Sequence, residues 1–546
     1  MILSFIRTAE DGSRKEFTMS KENITRRHWL KTASLAATTA PLFLSSKTYA
    51  KDSVPFEIGS RRELFVDRHL IDRLAGNTTL RLQHPIPREQ VLTHDAPWEG
   101  TGSGYHSVFQ DGDVYRMYYK GWHLDVSQGK LNGGRHPLYC CYAESKDGIN
   151  WQKPELGLHP FQGSTKNNIT IMSGKRGSLN IDAGHPAVFK DENPDAPTNA
   201  RYKAIVRSSK PNGLIPLASP DGLRWRPISE KPILMGLGAF DSQNLAFWDP
   251  NIGKYRAYWR IFTAGVTETD NWKPAGIRAI RTAVSDDLIN WSPHQDLTYV
   301  DSPPEELYTN QVKPYHRAPH LLLGFPTRYI DRGWSEAMRA LPDLAQRKLR
   351  ASSVQRYGTA LTEPLLMASR NGTHFHRWNE AFIRPGNQRP GTWHYGQQYL
   401  AWHIVETASS LPGADRELSL YGSESYWHGK GSALRRYTLR LDGFVAANAG
   451  WKGGELVTKP FTFTGNELEL NFATSAAGSL KVEIQNPDST PIAGYTLADA
   501  NDLFGDTVAG KAHWKQGSTV ASLSGKPIRL RFVLKDADLY SFQFTS

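Results

Sequence analysis

The sequence predicts an all-β protein, a five-bladed β-propeller followed by a C-terminal β-sandwich. Three observations carry that prediction. A turn-plus-aromatic phrase is written four times: "SKDGINWQKPELG" from Ser145, "SPDGLRWRPISEKP" from Ser219, "SDDLINWSPHQD" from Ser285 and, more faintly, "SRNGTHFHRWNEAF" from Ser369. A pair of short strand-like segments precedes each copy. From about Gly453 the texture changes to clean apolar/polar alternation.

The spacing defines the repeating unit. Trp151, Trp225, Trp291 and Phe375 lie 74, 66 and 84 residues apart. Ahead of the copies stand "YHSVFQDGDVYRMYYKG", "GHPAVFKDENPDAPTNARYKAIV", "SQNLAFWDPNIGKYRAYWRIF" and "TNQVKPYHRAPHLLLGFP". These are rich in β-branched and aromatic residues and broken by Gly, Pro, Asn and Asp. Each unit therefore reads as inner strand, turn, second strand, connection, third strand, D-G turn and aromatic outer strand. A four-stranded sheet repeated in this way is a propeller blade. A fifth unit runs from "WHYGQQYLAWHIVET" through "RELSLYGSESYW" to "RRYTLRLDGF". The repeated aromatic is read as packing between blades rather than as chemistry.

One helical interruption, "GWSEAMRALPDLAQRKLRASS" from Gly333, falls between the second strand of blade four and its turn phrase. A lid, a subunit contact and a surface decoration all fit it. Behind the propeller, "GELVTKPFTFTGNELELNFATSAAGSLKVEIQN" and "KPIRLRFVLKDADLYSFQF" suit sheets with one buried face each. The expected organisation is a leader over 1–50, the propeller over 55–450 and the sandwich over 453–546.

The leader is a targeting signal. "TRRHWLK" (Thr25 to Lys31) is a twin-arginine pattern, followed by a short apolar stretch and a small-residue site ending at Ala50. Met19 is an alternative start. The apolar run is too short and too rich in Thr and Ser for a stable membrane span. Export by the twin-arginine route to the periplasm or the exterior is the expectation. The formal charge of +11 falls to +7 without residues 1–50, which hold eight Lys/Arg and four Asp/Glu. No later run of Lys/Arg exceeds two, so the clustered basic footprint of a nucleic-acid binder is missing. The two cysteines, Cys140 and Cys141, are adjacent. Neighbours on a strand face opposite ways, so they read as packing residues, with neither a disulfide nor zinc spacing.

In a propeller the innermost strands line the central channel, and their first residues gather at its mouth. Those starts read "APWEGTGSGYHS", "IDAGHPAV", "GAFDSQNLAF", "PPEELYTNQV" and "WHYGQQYLAW". Polar residues stand in every one where apolar ones would otherwise fit.

The stretches "RELFVDRHLID", "PWEGTGSGYHSVF", "FDSQNLAFWDP", "ELYTNQVKPYHRAPH", "GFPTRY" and "LRLDGF", with the turn phrases, resemble the five-bladed propeller glycoside hydrolases. That group holds the arabinanases, invertases and levansucrases of families 32, 43, 62 and 68. They are similar, too, to exported family-32-like proteins of planctomycetes and their relatives. The resemblance covers roughly residues 55–450 and implies a glycosidase acting on a plant or algal saccharide, with carboxylates delivered by successive inner strands. The chain departs from the family pattern at two boxes. Glu99 in "PWEG" stands where invertases have W-M-N-D-P-N-G, and His185–Pro186 stand where R-D-P would be.

Glycoside cleavage needs one neutral and one ionised carboxyl, and close like charges or burial drive their pKa values apart. Asp241 and Glu99 are the expected working pair, with Glu305 as the alternative acid. His106, Asp182, His185, Gln243, Tyr308, Asn310, Arg328, Gln398 and Glu424 are the expected substrate-binding residues. Arg328 would alternatively meet a sulfate or uronate. The expected partner is a carbohydrate, with no nucleic acid; the oligomeric state is left open. No cofactor is expected; a structural Ca²⁺ in the channel stays open, though no EF-hand or His/Cys cluster supports one. A binding propeller without turnover, and a phosphorylase or lyase on the same fold, are the alternatives.

Overall fold

The computed structural model describes residues 54–268 and 271–546; the expected leader of residues 1–50 lies outside the described residues. Five sheets with antiparallel four-stranded cores follow one another along the chain. Blade I is Gly104–Asp111, Val114–Gly121, Tyr139–Ser145 and Trp151–Gln152, and blade II is Leu179–Lys190, Tyr202–Ser208, Gly213–Ser219 and Arg226–Pro227. Blade III is Leu245–Asp249, Lys254–Glu268, Asn271–Ser285 and Gln295–Asp296. Blade IV is Lys313–Tyr315, Ala318–Gly324, Met367–Ser369 and His374–Arg377. Blade V is Val405–Thr407, Glu417–Glu424, Ala433–Arg440 and, from the front of the chain, Ile86–Thr93. Blades packed face against face bury both sides of their middle strands, which therefore read as continuous apolar runs rather than alternations; every residue of Gly213–Ser219 is buried. Cys140 and Cys141 are buried free thiols that point into two different inter-blade cores.

The ring is closed by the N-terminal strand Ile86–Thr93 pairing with Ala433–Arg440. Residues before it lie elsewhere. Ile71–Gly76 pairs with Gly454–Thr458, Thr79–Leu82 with Val445–Ala449, and Phe56–Gly59 runs parallel to Phe461–Phe463. The first strand of the ring is thus at Ile86, not at residue 55, and the C-terminal sheets take strands from both ends of the described chain. A contiguous partition of the sequence misses this because a strand's partner is set by tertiary hydrogen bonding. The long strands Glu467–Gln485 and Arg529–Thr545 form the body of the sandwich, with bulges between Asn471 and Phe472 and between Thr474 and Ser479. Their inward residues, among them Leu468, Leu470, Val482, Phe532 and Phe542, make its core.

The repeated turn phrase is a side-chain device. In blade I, Gly148 N donates to Ser145 Oγ (2.9 Å), and Ile149 N and Asn150 N donate to Asp147 Oδ1 (2.8 and 2.7 Å). Asp221, Asp287 and Asn371 repeat the arrangement in blades II, III and IV. Burial opposes the charge on Asp147, yet the donated N–H groups hold its carboxyl at about 2. In blades I and II glycine follows the aspartate for two reasons, while in blade III Leu288 takes the same left-handed conformation at φ 66°. Gly148 and Gly222 have φ of 74° and 79°, and a Cβ on Gly222 would lie 2.5 Å from the Tyr118 hydroxyl of blade I. The aromatic then packs on the preceding blade: Trp151 meets Tyr421 edge-on at 5.9 Å, Trp225 meets Tyr118 at 6.2 Å, and Phe375 meets Tyr258 at 6.2 Å.

At the axis the five innermost segments are joined by side-chain amides. Gln243 of blade III donates through Nε2 to the carbonyls of Tyr105 (3.1 Å) and His106 (3.3 Å) in blade I and Pro186 (2.8 Å) in blade II. Its Oε1 accepts from Gln311 Nε2 of blade IV at 2.8 Å, and that amide also donates to Leu400 O on blade V's approach to the axis, at 2.8 Å. Both glutamines are buried. Gln243→Leu orphans several of these groups, each at about 1–3 kcal/mol. We expect a thermal midpoint several degrees below that of the parent protein in a fluorescence melt; an unchanged midpoint would contradict the role given to this amide.

Candidate active site at the propeller mouth

The residues leading into the inner strands share one end of the ring, and the structure makes that end aromatic. Tyr105, Tyr308, Tyr329, Tyr395, Tyr399, Tyr426 and Trp427 form one buried cluster. Tyr308 stacks on Tyr399 at 5.3 Å, and the Tyr395 hydroxyl donates to that of Tyr308 at 3.0 Å. Tyr105 sits at φ 53°, a left-handed conformation that costs a non-glycine residue about 1 kcal/mol or more. It turns the ring towards His185 (5.4 Å) and Tyr399 (6.1 Å).

Charged groups from four blades surround this floor. Blade II contributes Asp182, whose carboxylate faces His185 Nδ1 at 3.3 Å and Arg207 at 3.6 Å and accepts from Gly184 N at 2.8 Å. Burial raises its pKa, but these partners outweigh burial and hold it at about 2. Burial lowers the His185 imidazole despite Asp182. Blade III contributes Asp241 on its entry loop, paired with Arg260. Arg278, also of blade III, pairs with Glu306 on the approach to blade IV. Arg260 lies over the Tyr308 ring at 4.7 Å, and Arg278 lies over Tyr329 at 4.4 Å. Side-chain exposures of 38% for Asp241 and 31% for Glu306 make these two the solvent-facing acids of the set. Blade I contributes Lys120, buried between the rings of Tyr105 (4.6 Å), Trp122 (5.0 Å) and Tyr426 (5.5 Å). Burial lowers its pKa to about 7, with Asp182 pulling the other way.

The helical insert covers this end. Its helices, α1 (Glu336–Ala340), α2 (Leu344–Ser353) and α3 (Arg356–Thr359), join the strands Thr327–Asp331 and Ala360–Pro364. Ser335 caps α1 by accepting from Met338 N at 3.1 Å. Arg350 donates to the carbonyls of Tyr426 (2.6 Å) and Trp427 (2.7 Å), and Gln346 donates to Trp427 O at 2.9 Å. Tyr357 packs on Trp427 at 4.9 Å and on Tyr395 at 5.7 Å. The insert thus packs against the tyrosine cluster at this end of the ring, where a lid would stand.

Of the residues expected to form the site, Asp182, His185, Asp241 and Tyr308 gather here. Others lie in structural roles. Glu99 is fully buried, accepting from Tyr119 Oη (2.5 Å), Lys153 Nζ (2.6 Å) and Ala96 N (3.0 Å). Burial raises its pKa, opposed by Lys153. With both carboxylate oxygens occupied by these donors, Glu99 stands in a structural role. Glu305 accepts from Arg328 (2.7 Å) and lies in ion-pair distance of Arg377 (3.0 Å), and Arg328 also engages Glu363; the two expected site residues neutralise one another within blade IV. Glu424 is buried against Arg389 and Arg435. His106 faces His94 Nε2 to Nε2 at 3.0 Å, and burial drives His94 down to about 3 and His106 well below its usual range. Gln243 is the axial tie. Asn310 and Gln398 spend their amides on the carbonyls of Tyr258 (3.5 Å) and Arg384 (2.8 Å). Lys120, Arg260 and Arg278 were missed because they stand on second and third strands and reach inward. A lysine inside the apolar run "VYRMYYKGW" was the signal available for the first.

A larger cavity of about 440 Å³ lies towards the far ends of the inner strands, beyond the glutamines, lined by Phe109, Lys313, Tyr315, Phe325, His403 and Glu406 among others. It gathers none of the mouth's acids. Among the described residues, no group of three or more His, Cys, Asp or Glu is arranged to hold a metal ion, and no helix is long and apolar enough to cross a membrane.

No family model matches the chain, and no curated protein matches it. Among solved structures it is similar to an N-acetylgalactosamine deacetylase from F. plautii in complex with blood group B trisaccharide. Identity there is 12%, over 67% of this chain and 94% of that one, with a TM-score of 0.38. It is similar to an endo-arabinase from Bacteroides thetaiotaomicron at 11% identity, over 65% of this chain and 96% of that one, with a TM-score of 0.35. A fructofuranosidase from Schwanniomyces occidentalis, complexed with fructosylnystose, is 11% identical over 90% of this chain and 99% of that one, with a TM-score of 0.34. Likeness this remote carries no argument about activity. The five-bladed architecture stands on the strand pairing itself.

The enclosure of Glu99 makes a prediction. Glu99→Gln leaves Lys153 facing a neutral amide, so the thermal midpoint falls while kcat of the folded protein stays at the parent level. A loss of kcat of about a hundredfold or more at an unchanged midpoint would return Glu99 to the chemistry.

Proposed function

We propose that this chain is an exported glycosidase that cleaves a plant or algal saccharide at the lidded mouth of the propeller. One observation carries the reading: carboxylates borne by or leading into three successive blades, Asp182, Asp241 and Glu306, surround a single tyrosine floor. Aromatic faces suit the C–H faces of a sugar ring, and the hydroxyls of Tyr105 and Tyr399, pushed well up by burial, stay protonated and can donate to sugar oxygens.

The roles divide by environment. Asp182, held ionised by His185, Arg207 and Gly184 N, is suited to act as base or nucleophile. The proton donor is drawn from Asp241 and Glu306, which face solvent and are each held by one arginine. Arg260 and Arg278 would then stabilise the ionised form left behind.

A polysaccharide panel read by product chromatography tests this. We expect release of reducing sugar from at least one glycan, and Asp182→Asn and Asp241→Asn should each lower kcat of protein shown folded by its melting curve by about a hundredfold or more, with a lower thermal midpoint as well, because each leaves a buried cation without its carboxylate. Full turnover in both variants would overturn the assignment. Since each of the three acids is already ion-paired, a binding propeller is the second reading. Retention of an oligosaccharide that stays intact after long incubation would select it.

A further inference from the structure

We propose that the mouth recognises an acidic saccharide, one carrying a carboxylate or a sulfate ester at the ring seated on the tyrosine floor. The proposal rests on the glycosidase reading for its location and adds the class of substrate. It comes from the balance of donors and acceptors around that floor. Lys120, Arg207, Arg260 and Arg278 stand against Asp182, Asp241 and Glu306, so the cations are in excess by one.

The excess is located at Lys120. Its ammonium has three donors, and the hydrogen bond it makes among the described residues is a long one, 3.4 Å to the Tyr426 hydroxyl, with no carboxylate of those residues in ion-pair distance. It is 3% exposed and packs with Gly104, Tyr105, Tyr399, Ser423 and Tyr426 around a crevice too narrow for a water molecule, so a ligand group reaches the ammonium only as these rings part. A buried ammonium without an anion is costly, and three aromatic faces recover a part of that cost. An anionic ligand group would recover the rest.

The arginines point the same way. The Nε groups of Arg207, Arg260 and Arg278 are buried without acceptors, although their terminal nitrogens hold Asp182, Asp241 and Glu306. Unmet donors at one site ask for a ligand rich in acceptors, and planar guanidinium groups match carboxylate and sulfate oxygens. The lid adds to the positive field. Arg347 and Arg350 are both 2% exposed, and the acceptors they engage are backbone carbonyls and the Met338 sulfur. Neutral sugars would satisfy hydroxyl-sized acceptor positions but leave the Lys120 charge unpaired.

Isothermal titration and initial-rate kinetics on matched pairs test the proposal: oligogalacturonate against its methyl ester, and a sulfated galactan oligosaccharide against its desulfated form. We expect the anionic member of one pair to bind tighter by about tenfold or more, with the gap narrowing at high salt. It should narrow again as the pH rises through about 7, where the ammonium of Lys120 loses its proton. The pair that shows the gap identifies the anion. Lys120→Met, which fits between the same aromatic rings and whose folding is checked by its melting curve, should narrow the gap between the anionic ligand and its neutral partner and abolish its change through about pH 7. Equal or better binding of the neutral members, or the same loss on both members in Lys120→Met, would overturn the acidic-substrate inference and leave the glycosidase reading standing. Failure to bind or cleave any member of the wider glycan panel would remove both.

Discussion

The hydrogen bond from the Gln311 amide to the Gln243 carbonyl oxygen, with the contacts the two side chains make to Tyr105, His106, Pro186 and Leu400, holds together segments that are far apart in sequence. A propeller has no continuous core. Each blade packs on its neighbours, and near the axis backbone groups would be left without partners unless side chains supply them. Two amides can do this because each offers both donors and an acceptor. Their burial between the mouth and the far cavity gives the channel two distinct ends, and only the end at the strand starts collects the acids and the tyrosines.

That constraint explains the division between architecture and chemistry. The first turns of the inner strands are fixed to within hydrogen-bond tolerance, so side chains there are placed on a rigid ring rather than on free loops. Tyr105 is held at positive φ immediately before the carbonyls that Gln243 engages. The helical insert completes the enclosure from one blade by anchoring Arg350 and Gln346 to backbone carbonyls of blade V's loop at Tyr426 and Trp427. Burial lowers Lys120, while at Asp182 the His185 and Arg207 partners and the Gly184 N–H outweigh burial, so a depressed lysine and an ionised carboxylate coexist at one site.

Much of the fold was legible in the sequence because its signals are local. The Ser and Asp of each turn phrase bond to the backbone within a few residues, so the phrase must recur wherever the turn does. The closing strand at Ile86 and the sandwich strands before it were not legible, since nothing in "IPREQVLT" names its partner at Ala433–Arg440. The site was half legible. Asp182 and His185 stand on an inner strand, and Asp241 and Tyr308 on the approaches to two others, where a search along the chain looks. Glu99 stands in such an approach too, but its fate is decided by Tyr119 and Lys153, 20 and 54 residues away. Lys120, Arg260 and Arg278 reach the mouth from the second and third strands by virtue of their length. A reading of inner strands alone passes over them.

The account depends on substrate occupying the lidded mouth rather than the larger cavity beyond the glutamines. A crystal structure of the Asp241→Asn protein soaked with a cleavable oligosaccharide decides this directly. The account predicts density for a sugar ring against Tyr105, Tyr308 and Tyr399, within reach of Asp182. Density confined to the far cavity beside His403 and Tyr315, with the tyrosine floor unoccupied, would contradict it.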